Sequence, residues 1–471
     1  MPFDPALIDQ FASITGEKYA LRKEADQEPY LVEWRGLYRG KTPLVLLPGT
    51  VAEVQAIMAL ANETGTPIAP QSGNTGLVLA QTPDKDGSEI ALSLKRLDKI
   101  RAIDPGGNTI TVEAGVTLQR VQEAADEANR LFPLSLASEG TCRIGGNLGT
   151  NAGGTGVLAY GNARDLTLGV EVVLADGRLF EGLRWLRKDN TGYDLKDLFI
   201  GSEGTLGIIT AAVLKLFPKP AETTTSWVGL ASLEAVKDFF EQARAMAGPG
   251  LTAFELMPRL AMEFLLRHLP GARDPLSNPY PWYVLMDIDG HQGDGESRAI
   301  TEKLLAKAIE DGVVQDAFVA ETISQGNALW HLRESLSELQ KKEGGSIKHD
   351  VSVPIAAIPE LITRGNVLLE EAMPGVRPLP FGHFGDGNIH YNVQQPVGMD
   401  TKEFLRQWDR ISGIIYGLVR ELHGSISAEH GIGRLKREQL RQVKGPVEMQ
   451  LMQALKSALD PRGILNPGRI L

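Results

Sequence analysis

Glu139-Gly140-Thr141-Cys142-Arg143-Ile144-Gly145-Gly146-Asn147-Leu148-Gly149-Thr150-Asn151-Ala152-Gly153-Gly154 is the stretch whose reading decides the fold. Six glycines with interleaved asparagine and threonine predict a long loop able to wrap a flat or phosphorylated ligand. A related stretch lies upstream, Pro70-Gln71-Ser72-Gly73-Asn74-Thr75-Gly76. A third lies downstream, Gly201-Ser202-Glu203-Gly204-Thr205-Leu206-Gly207-Ile208-Ile209, running into an apolar strand that ends near Pro218. Any one of them alone reads as an ordinary surface loop. Three among short strands make one extended cofactor site. None is a G-x-G-x-x-G joining a strand directly to a helix, which argues against ordinary NAD binding.

The segments between these loops have matching signals. Leu44–Leu47 has a buried-strand pattern. Thr50 and Glu53 form a capping box that opens a helix with Val54, Ile57, Met58 and Ala61 on one face, stopped at Gly65. Ile90–Leu94 reads as a strand, and Ile100–Asp104 with Thr109–Ala114 reads as a hairpin. Thr117 is the expected cap of a helix carrying Leu118, Val121, Ala125 and Ala128. Val170–Ala175 and Arg178–Gly182 form a second hairpin around Asp176-Gly177.

At 471 residues the chain is long enough for two or three domains. A content of 42% hydrophobic and 23% charged residues is that of a globular protein. The net charge of −11 argues against a nucleic-acid or anionic-membrane surface as main partner. Cys142 is the one cysteine, so no intramolecular disulfide forms, and a reducing, cytoplasmic compartment is expected. The first residues show no secretory signal, and no apolar run reaches the roughly 18 residues of a membrane span. All 8 histidines lie at or after His268, which confines imidazole chemistry to the second half.

Pro218-Lys219-Pro220 marks a domain boundary. The expected division is 1–218, 219–425 and 426–471. Beyond the boundary, helical patterns at Leu233–Met246, Ala299–Asp311, Ala328–Lys342 and Ile358–Met373 alternate with strand patterns at Trp282–Asp287, Val313–Phe318 and Ser346–Val353. That alternation predicts an α+β cap, a mostly antiparallel sheet with helices on one face. Helices are also expected at Lys402–Leu422 and Val447–Leu459.

Within this half, Phe381-Gly-His-Phe-Gly-Asp-Gly-Asn-Ile-His-Tyr-Asn-Val393 carries the chemistry. Ile389, Tyr391 and Val393 share one face of a strand, leaving His390 and Asn392 on the other. The turn Asp386-Gly387-Asn388 can bring His383 back beside His390. Two imidazoles held this way need only a carboxylate to become an open metal site. Glu429, in Ser427-Ala428-Glu429-His430-Gly431-Ile432-Gly433, could supply it, with His430 as a neighbouring base. The same residues also read as two unrelated histidines on a loop and a strand.

Together, the three glycine-rich loops, Gly382–Asn392 and Ser427–Gly433 resemble the FAD-linked oxidase superfamily of vanillyl-alcohol oxidase type, in its D-2-hydroxy-acid dehydrogenase branch. The resemblance runs from about residue 40 to the end. It implies an α+β fold: a two-part FAD-binding domain, the cap domain, and a C-terminal segment returning to the FAD domain. It implies that Gln71, Ser72, Gly73, Asn74, Thr75 and Gly76 hold the FAD pyrophosphate. Pro133, Gly140, Thr141, Gly145, Asn147, Asn151, Gly153, Gly154, Glu203, Gly207, Ile209 and Asn466 would surround the rest. Some members attach FAD through a histidine in the first loop; Asn74 stands there, and the domain has no histidine. Cys142 is the one possible thioether site, and as a small packed residue it leaves the FAD non-covalent.

The resemblance further implies that His383, His390 and Glu429 bind a divalent ion, zinc by expectation, and that His430 is the general base. Arg333 and Ser337, four apart on a helix, and Lys348 on a following strand resemble the substrate-binding Arg, Thr and Lys of D-2-hydroxyglutarate dehydrogenases. Two cations and a hydroxyl favour a dicarboxylate such as D-2-hydroxyglutarate or D-malate over lactate. The same Arg and Lys also read as a solvated helix face. Asn392, on the His390 face, is a further substrate contact. The expected acceptor is an electron-transferring flavoprotein or a quinone; a homodimer is allowed. Three alternatives stand beside this: a D-lactate or glycolate-type FAD dehydrogenase, a zinc metallohydrolase with structural glycine loops, and a flavin-binding protein with no redox turnover. His268, His291, His331, His349 and His423 match no ligand position.

Overall fold

The computed structural model describes residues 3–471, which divide into two compact units. The first comprises residues up to Gly153, then Gly161–Lys219 and Glu429–Leu471; the second comprises Gly154–Tyr160 and Pro220–Ala428.

The strands of the first unit are β1 (Ala20–Leu21), β2 (Val45–Leu46), β3 (Ile68–Gln71), β4 (Ile90–Ser93), β5 (Ile100–Asp104), β6 (Thr109–Glu113), β7 (Arg130–Leu131), β8 (Thr167–Val173), β9 (Leu179–Gly182), β10 (Ile208–Lys215) and β11 (Phe217–Pro218). One sheet has the order β1-β2-β4-β3 and is parallel through β2, β4 and β3. Leu44, Leu46, Ile68, Ile90 and Leu92 bury one face of it under helices Pro5–Thr15 and Val51–Thr64. Thr50 caps the second helix by accepting from the Glu53 N–H, and Gly65 ends it in the left-handed region, as expected. The other sheet, β5-β6-β10-β8-β9, is antiparallel and contains both expected hairpins. β7 pairs with β11.

The C-terminal segment completes the first sheet. Ile68 donates to Ile464 and accepts from Asn466 (2.8 and 2.9 Å), so residues 464–466 run parallel to β3. Ile464 and Leu465 enter the same core.

The second unit is built on one antiparallel sheet of β12 (Glu222–Leu230), β13 (Leu251–Pro258), β14 (Trp282–Gly290), β15 (Asp316–Val319), β16 (Ser346–Ile347), β17 (Asp350–Ser352), β18 (Arg377–His383) and β19 (Asn388–Gln394). Its order is β15-β12-β14-β13-β18-β19-β16, with β17 also on β19. Helices cover both faces, not one. Tyr283, Leu285 and Met257 pack with helices Arg259–His268 and Ile323–Leu339. Phe254, whose side chain points the opposite way, packs with Phe239 and Phe240 of Leu233–Ala247. The strands are apolar at nearly every position, so each face needs its own cover.

Three further segments differ from expectation. Ile144–Gly149, within the glycine-rich stretch, is a short helix. The strand expected over Ser346–Val353 is split into β16 and β17 around Lys348 and His349. The helix expected over Lys402–Leu422 is two, Thr401–Leu405 and Trp408–Glu421. Among the described residues no helix is long and apolar enough to cross a membrane.

Candidate active site

In the first unit the three glycine-rich stretches converge. A Cβ on Gly73 would lie 2.8 Å from the Thr141 carbonyl and 3.0 Å from the Arg143 nitrogen, so the first and second stretches meet backbone to backbone. A Cβ on Gly145 would strike Ala114 at 2.7 Å. The Glu203 N–H donates to the Gly149 carbonyl (2.8 Å), and Gly201 donates to Leu148 (2.8 Å), joining the third stretch to the second. Gly204 abuts Pro70 closely enough to exclude a side chain. Asn74, Asn151, Glu203 and Asn466 all adopt positive φ, a conformation that costs free energy and clusters at ligand sites.

The side chains of this cluster divide into structural and available groups. Gln71 donates to the carbonyls of Tyr30 and Gln81, and Ser72 donates to Ala114. Asn74 donates to Pro29 and Val32. Asn466 donates to the carbonyls of Ala80 and Glu203. The side-chain oxygens of Asn74 and Asn466 are buried without a hydrogen-bond partner. Two acceptors left unsatisfied in a glycine-walled cluster fit a ligand that brings hydroxyl and N–H donors, as a flavin dinucleotide does. Gly76 and Gly207 are tightly enclosed, by Gln81 and by Val172 with Phe199. Ile209 is buried, whereas Thr75, Gly140 and Thr141 reach the surface to differing degrees. Pro133 lines a separate cavity of ≈ 620 Å³ with Phe132, Leu134 and Lys219. Gly153 closes the first unit's portion of the second stretch, and Gly154 opens the piece that belongs to the other unit.

Glu203 has a mechanical role. Both of its oxygens accept backbone N–H groups, from Ile432 (2.6 Å) and Gly433 (2.7 Å). They fasten the turn that follows Glu429 and His430. Burial pushes this carboxyl up to about 7 against those two hydrogen bonds. Cys142 is buried, and burial raises its thiol pKa.

In the second unit, β18 and β19 form the hairpin expected around Gly387, which has φ +89°. It sets the rings of His383 and His390 edge to face, with centroids 5.4 Å apart. Ile389, Tyr391 and Val393 are fully buried on the opposite face, as their alternation predicts. Each imidazole faces a carboxylate on the neighbouring strand. Glu255 lies opposite His383 in register, and its Oε1 is 2.6 Å from Nδ1. Asp350 lies opposite His390, with Oδ1 3.8 Å from Nδ1. The Glu255 carboxylate on Nδ1 holds the His383 ring in the tautomer that presents Nε2 to a metal.

Neither carboxylate was singled out in the sequence. Glu255 is a lone charge in the apolar strand Leu251–Pro258, which is itself a signal, because acids are seldom fully buried unless paired. Its other oxygen accepts from Arg333 Nε (2.9 Å) and lies 2.7 Å from Nη2. Burial raises the Glu255 carboxyl, but His383 and Arg333 outweigh burial and hold it at about 2.

Arg333 and Ser337 share helix Ile323–Leu339, and Lys348 Nζ approaches the Ser337 carbonyl at 3.3 Å, so the three are neighbours. Arg333 is 6% exposed, which rules out a solvated helix face for it. Its guanidinium also lies over the Phe381 ring. The Asn392 amide donates to Gln340 (2.8 Å). Asp287, on the same face, accepts from Trp330, and burial pushes it up to about 6. Of the other histidines, His349 is buried between the Tyr391 carbonyl and the Ser412 hydroxyl, and His268 meets Glu343. His291, His331 and His423 are exposed.

Comparison with known proteins bears on the family and the fold. Residues 42–182 match the family described as FAD binding domain, and residues 219–470 match FAD linked oxidases, C-terminal domain. The chain is 36% identical to a D-2-hydroxyglutarate dehydrogenase of Xanthomonas citri pv. viticola, covering 95% of this chain and 93% of that one. It is 34% identical to the mitochondrial D-2-hydroxyglutarate dehydrogenase of Arabidopsis thaliana, over 98% and 81%. The fold is similar to that of p-cresol methylhydroxylase with substrate bound, at TM-score 0.76 and 18% identity, covering 99% and 96%. Fold, glycine cluster and relatives together show that the chain belongs to the FAD-linked oxidases, in the branch that holds the D-2-hydroxyglutarate dehydrogenases.

Proposed function

We propose that the protein oxidises D-2-hydroxyglutarate to the 2-oxo acid, with a non-covalently bound FAD and a divalent metal ion. The pair of histidines His383 and His390, the first backed by the Glu255 carboxylate and set on one sheet face with Arg333, carries this reading. When bound, the flavin supplies a hydride acceptor, and the ion, zinc in our reading, supplies Lewis-acid polarisation of the C2 hydroxyl.

The chain's own residues do the rest. His383 and His390, with Glu429, hold the ion, two neutral nitrogens and one carboxylate leaving coordination positions for substrate. His430 takes the hydroxyl proton. Arg333, Lys348 and Ser337 receive the distal carboxylate, and Asn392 acts beside His390. The unit of residues up to Gly153, Gly161–Lys219 and Glu429–Leu471 serves as the FAD domain, and the unit of Gly154–Tyr160 and Pro220–Ala428 serves as the substrate domain. The acceptor is an electron-transferring flavoprotein or a quinone, and the compartment is the cytoplasm, in keeping with the lone buried thiol. A metallohydrolase would leave an FAD-binding domain over residues 42–182 without a purpose.

The test is anaerobic bleaching of the bound flavin by D- and L-2-hydroxy acids, before and after chelation. Bleaching by D-2-hydroxyglutarate that chelation abolishes is expected. Full bleaching after complete metal removal would overturn the metal's role, and faster bleaching by D-lactate would favour the lactate-type alternative.

A further inference from the structure

We infer that Glu255 is the positioning residue that sets the metal-binding imidazole and the substrate-binding guanidinium at a fixed spacing. The inference rests on the functional reading above and adds a residue to it. One carboxylate serves both groups. Oε1 takes His383 Nδ1 at 2.6 Å, and Oε2 takes Arg333 Nε at 2.9 Å with Nη2 at 2.7 Å.

A carboxyl group is planar and rigid, so its two oxygens cannot adjust independently. His383 on β18 and Arg333 on helix Ile323–Leu339 are thereby tied through a single atom group on β13. The side chain of Glu255 is 1% exposed, and those of Arg333 and His383 are 7% and 9% exposed. Water therefore cannot stand in for a lost partner. Phe381 closes the arrangement, lying under the guanidinium and against the His390 ring. A substrate that places its hydroxyl at the metal and its distal carboxylate at Arg333 needs one separation between those sites. Glu255 holds that separation and so favours one chain length of 2-hydroxy acid.

Two variants test this. Glu255→Gln keeps the shape but cannot accept from both partners with both atoms; Glu255→Asp keeps the charge but is one methylene too short to reach both. Metal content and affinity are measured by elemental analysis and competition with a chelator, KM and kcat for D-2-hydroxyglutarate and D-lactate by flavin reduction. Flavin content and melting temperature report folding, with Glu343→Gln as a buried-carboxylate control.

Each Glu255 variant should bind metal about 10–100-fold more weakly. KM should rise more for the five-carbon dicarboxylate than for lactate, while flavin content stays at the wild-type level. If Glu255→Gln does not fold, Glu255→Asp decides. Wild-type metal affinity together with an unchanged KM ratio in a folded variant would overturn the inference. If the wild-type protein binds no metal at all, the functional reading fails on its metal; the KM ratio alone then decides whether Glu255 positions Arg333.

Discussion

The side-chain nitrogen of Asn466 donates to the carbonyl of Glu203 at 2.7 Å, across 263 positions of sequence. The same nitrogen donates to Ala80. Glu203 in turn fastens Ile432 and Gly433, so three distant segments of the first unit hang on two adjoining residues. Asn466→Ala removes two buried hydrogen bonds and puts alanine at φ 45°. The expected loss is about 2–4 kcal/mol, read as a lower denaturant midpoint together with reduced flavin content.

Glu203 also predicts a pH dependence. Its pKa in the folded protein is raised to about 7, above the roughly 4.3 of an unfolded glutamate, so the folded state binds the extra proton in that window. Stability from this group is fully present below about pH 4 and is lost as pH rises through about 7. The scale is on the order of 3 kcal/mol. Melting temperatures of wild type and Glu203→Gln, measured across this range, should draw together as pH falls and separate as pH rises through about 7, because glutamine mimics the neutral carboxyl. Parallel curves would show that Glu203 titrates normally.

Gly73→Ala should empty the protein of flavin. Its Cβ meets three backbone atoms of residues 141–143 at 2.8–3.0 Å, and backbone there cannot swing aside. The ratio of flavin to protein absorbance in the purified variant is the measurement.

Cys142 should be unreactive in the native protein, because burial shields the thiol and raises its pKa. Titration with a thiol reagent should find no fast-reacting group before denaturation and one after it. Denaturation should also release the flavin into the filtrate; colour that stays with the chain would mean a covalent link.

Acid should find a weak point at Glu343. Burial raises its carboxyl, but Arg377, His268 and Arg267 outweigh burial and hold it at about 2. The stability it contributes is present above about pH 4.3 and is lost as pH falls toward 2. Arg377→Met leaves the carboxylate with Arg267 and His268 alone and should cost about 1–3 kcal/mol near neutrality. It should also move the acid-unfolding midpoint to higher pH, checked by circular dichroism.

How much of this was legible depends on whether a signal is local. The His383–His390 hairpin was readable because two-residue alternation and the Asp-Gly-Asn turn lie within one short stretch. Glu255 was not, since its partner stands 128 positions away and only strand register brings them together. Ile144–Gly149 was hidden for another reason: glycine disfavours a helix, yet Ala114 leaves no room for a side chain at Gly145. The break at Lys348-His349 came from a tertiary bond, the His349 ring turning inward to the Tyr391 carbonyl. Helices on both sheet faces could have been foreseen, since Leu251–Pro258 lacks the polar alternation of a half-solvated strand.

The parallel pairing of Leu465 beside Ile68 bears on biosynthesis. A ribosome delivers Ile68 and Glu89 long before Asn466 and Arg469, and Arg469 pairs with Glu89 in the buried interior. The nascent nucleotide-holding half must therefore wait, unfinished, while the whole second unit emerges. Flavin capture is then a late, largely post-translational event, and a chain ending between residues 219 and 463 lacks the segment that completes the sheet and the Arg469–Glu89 pair.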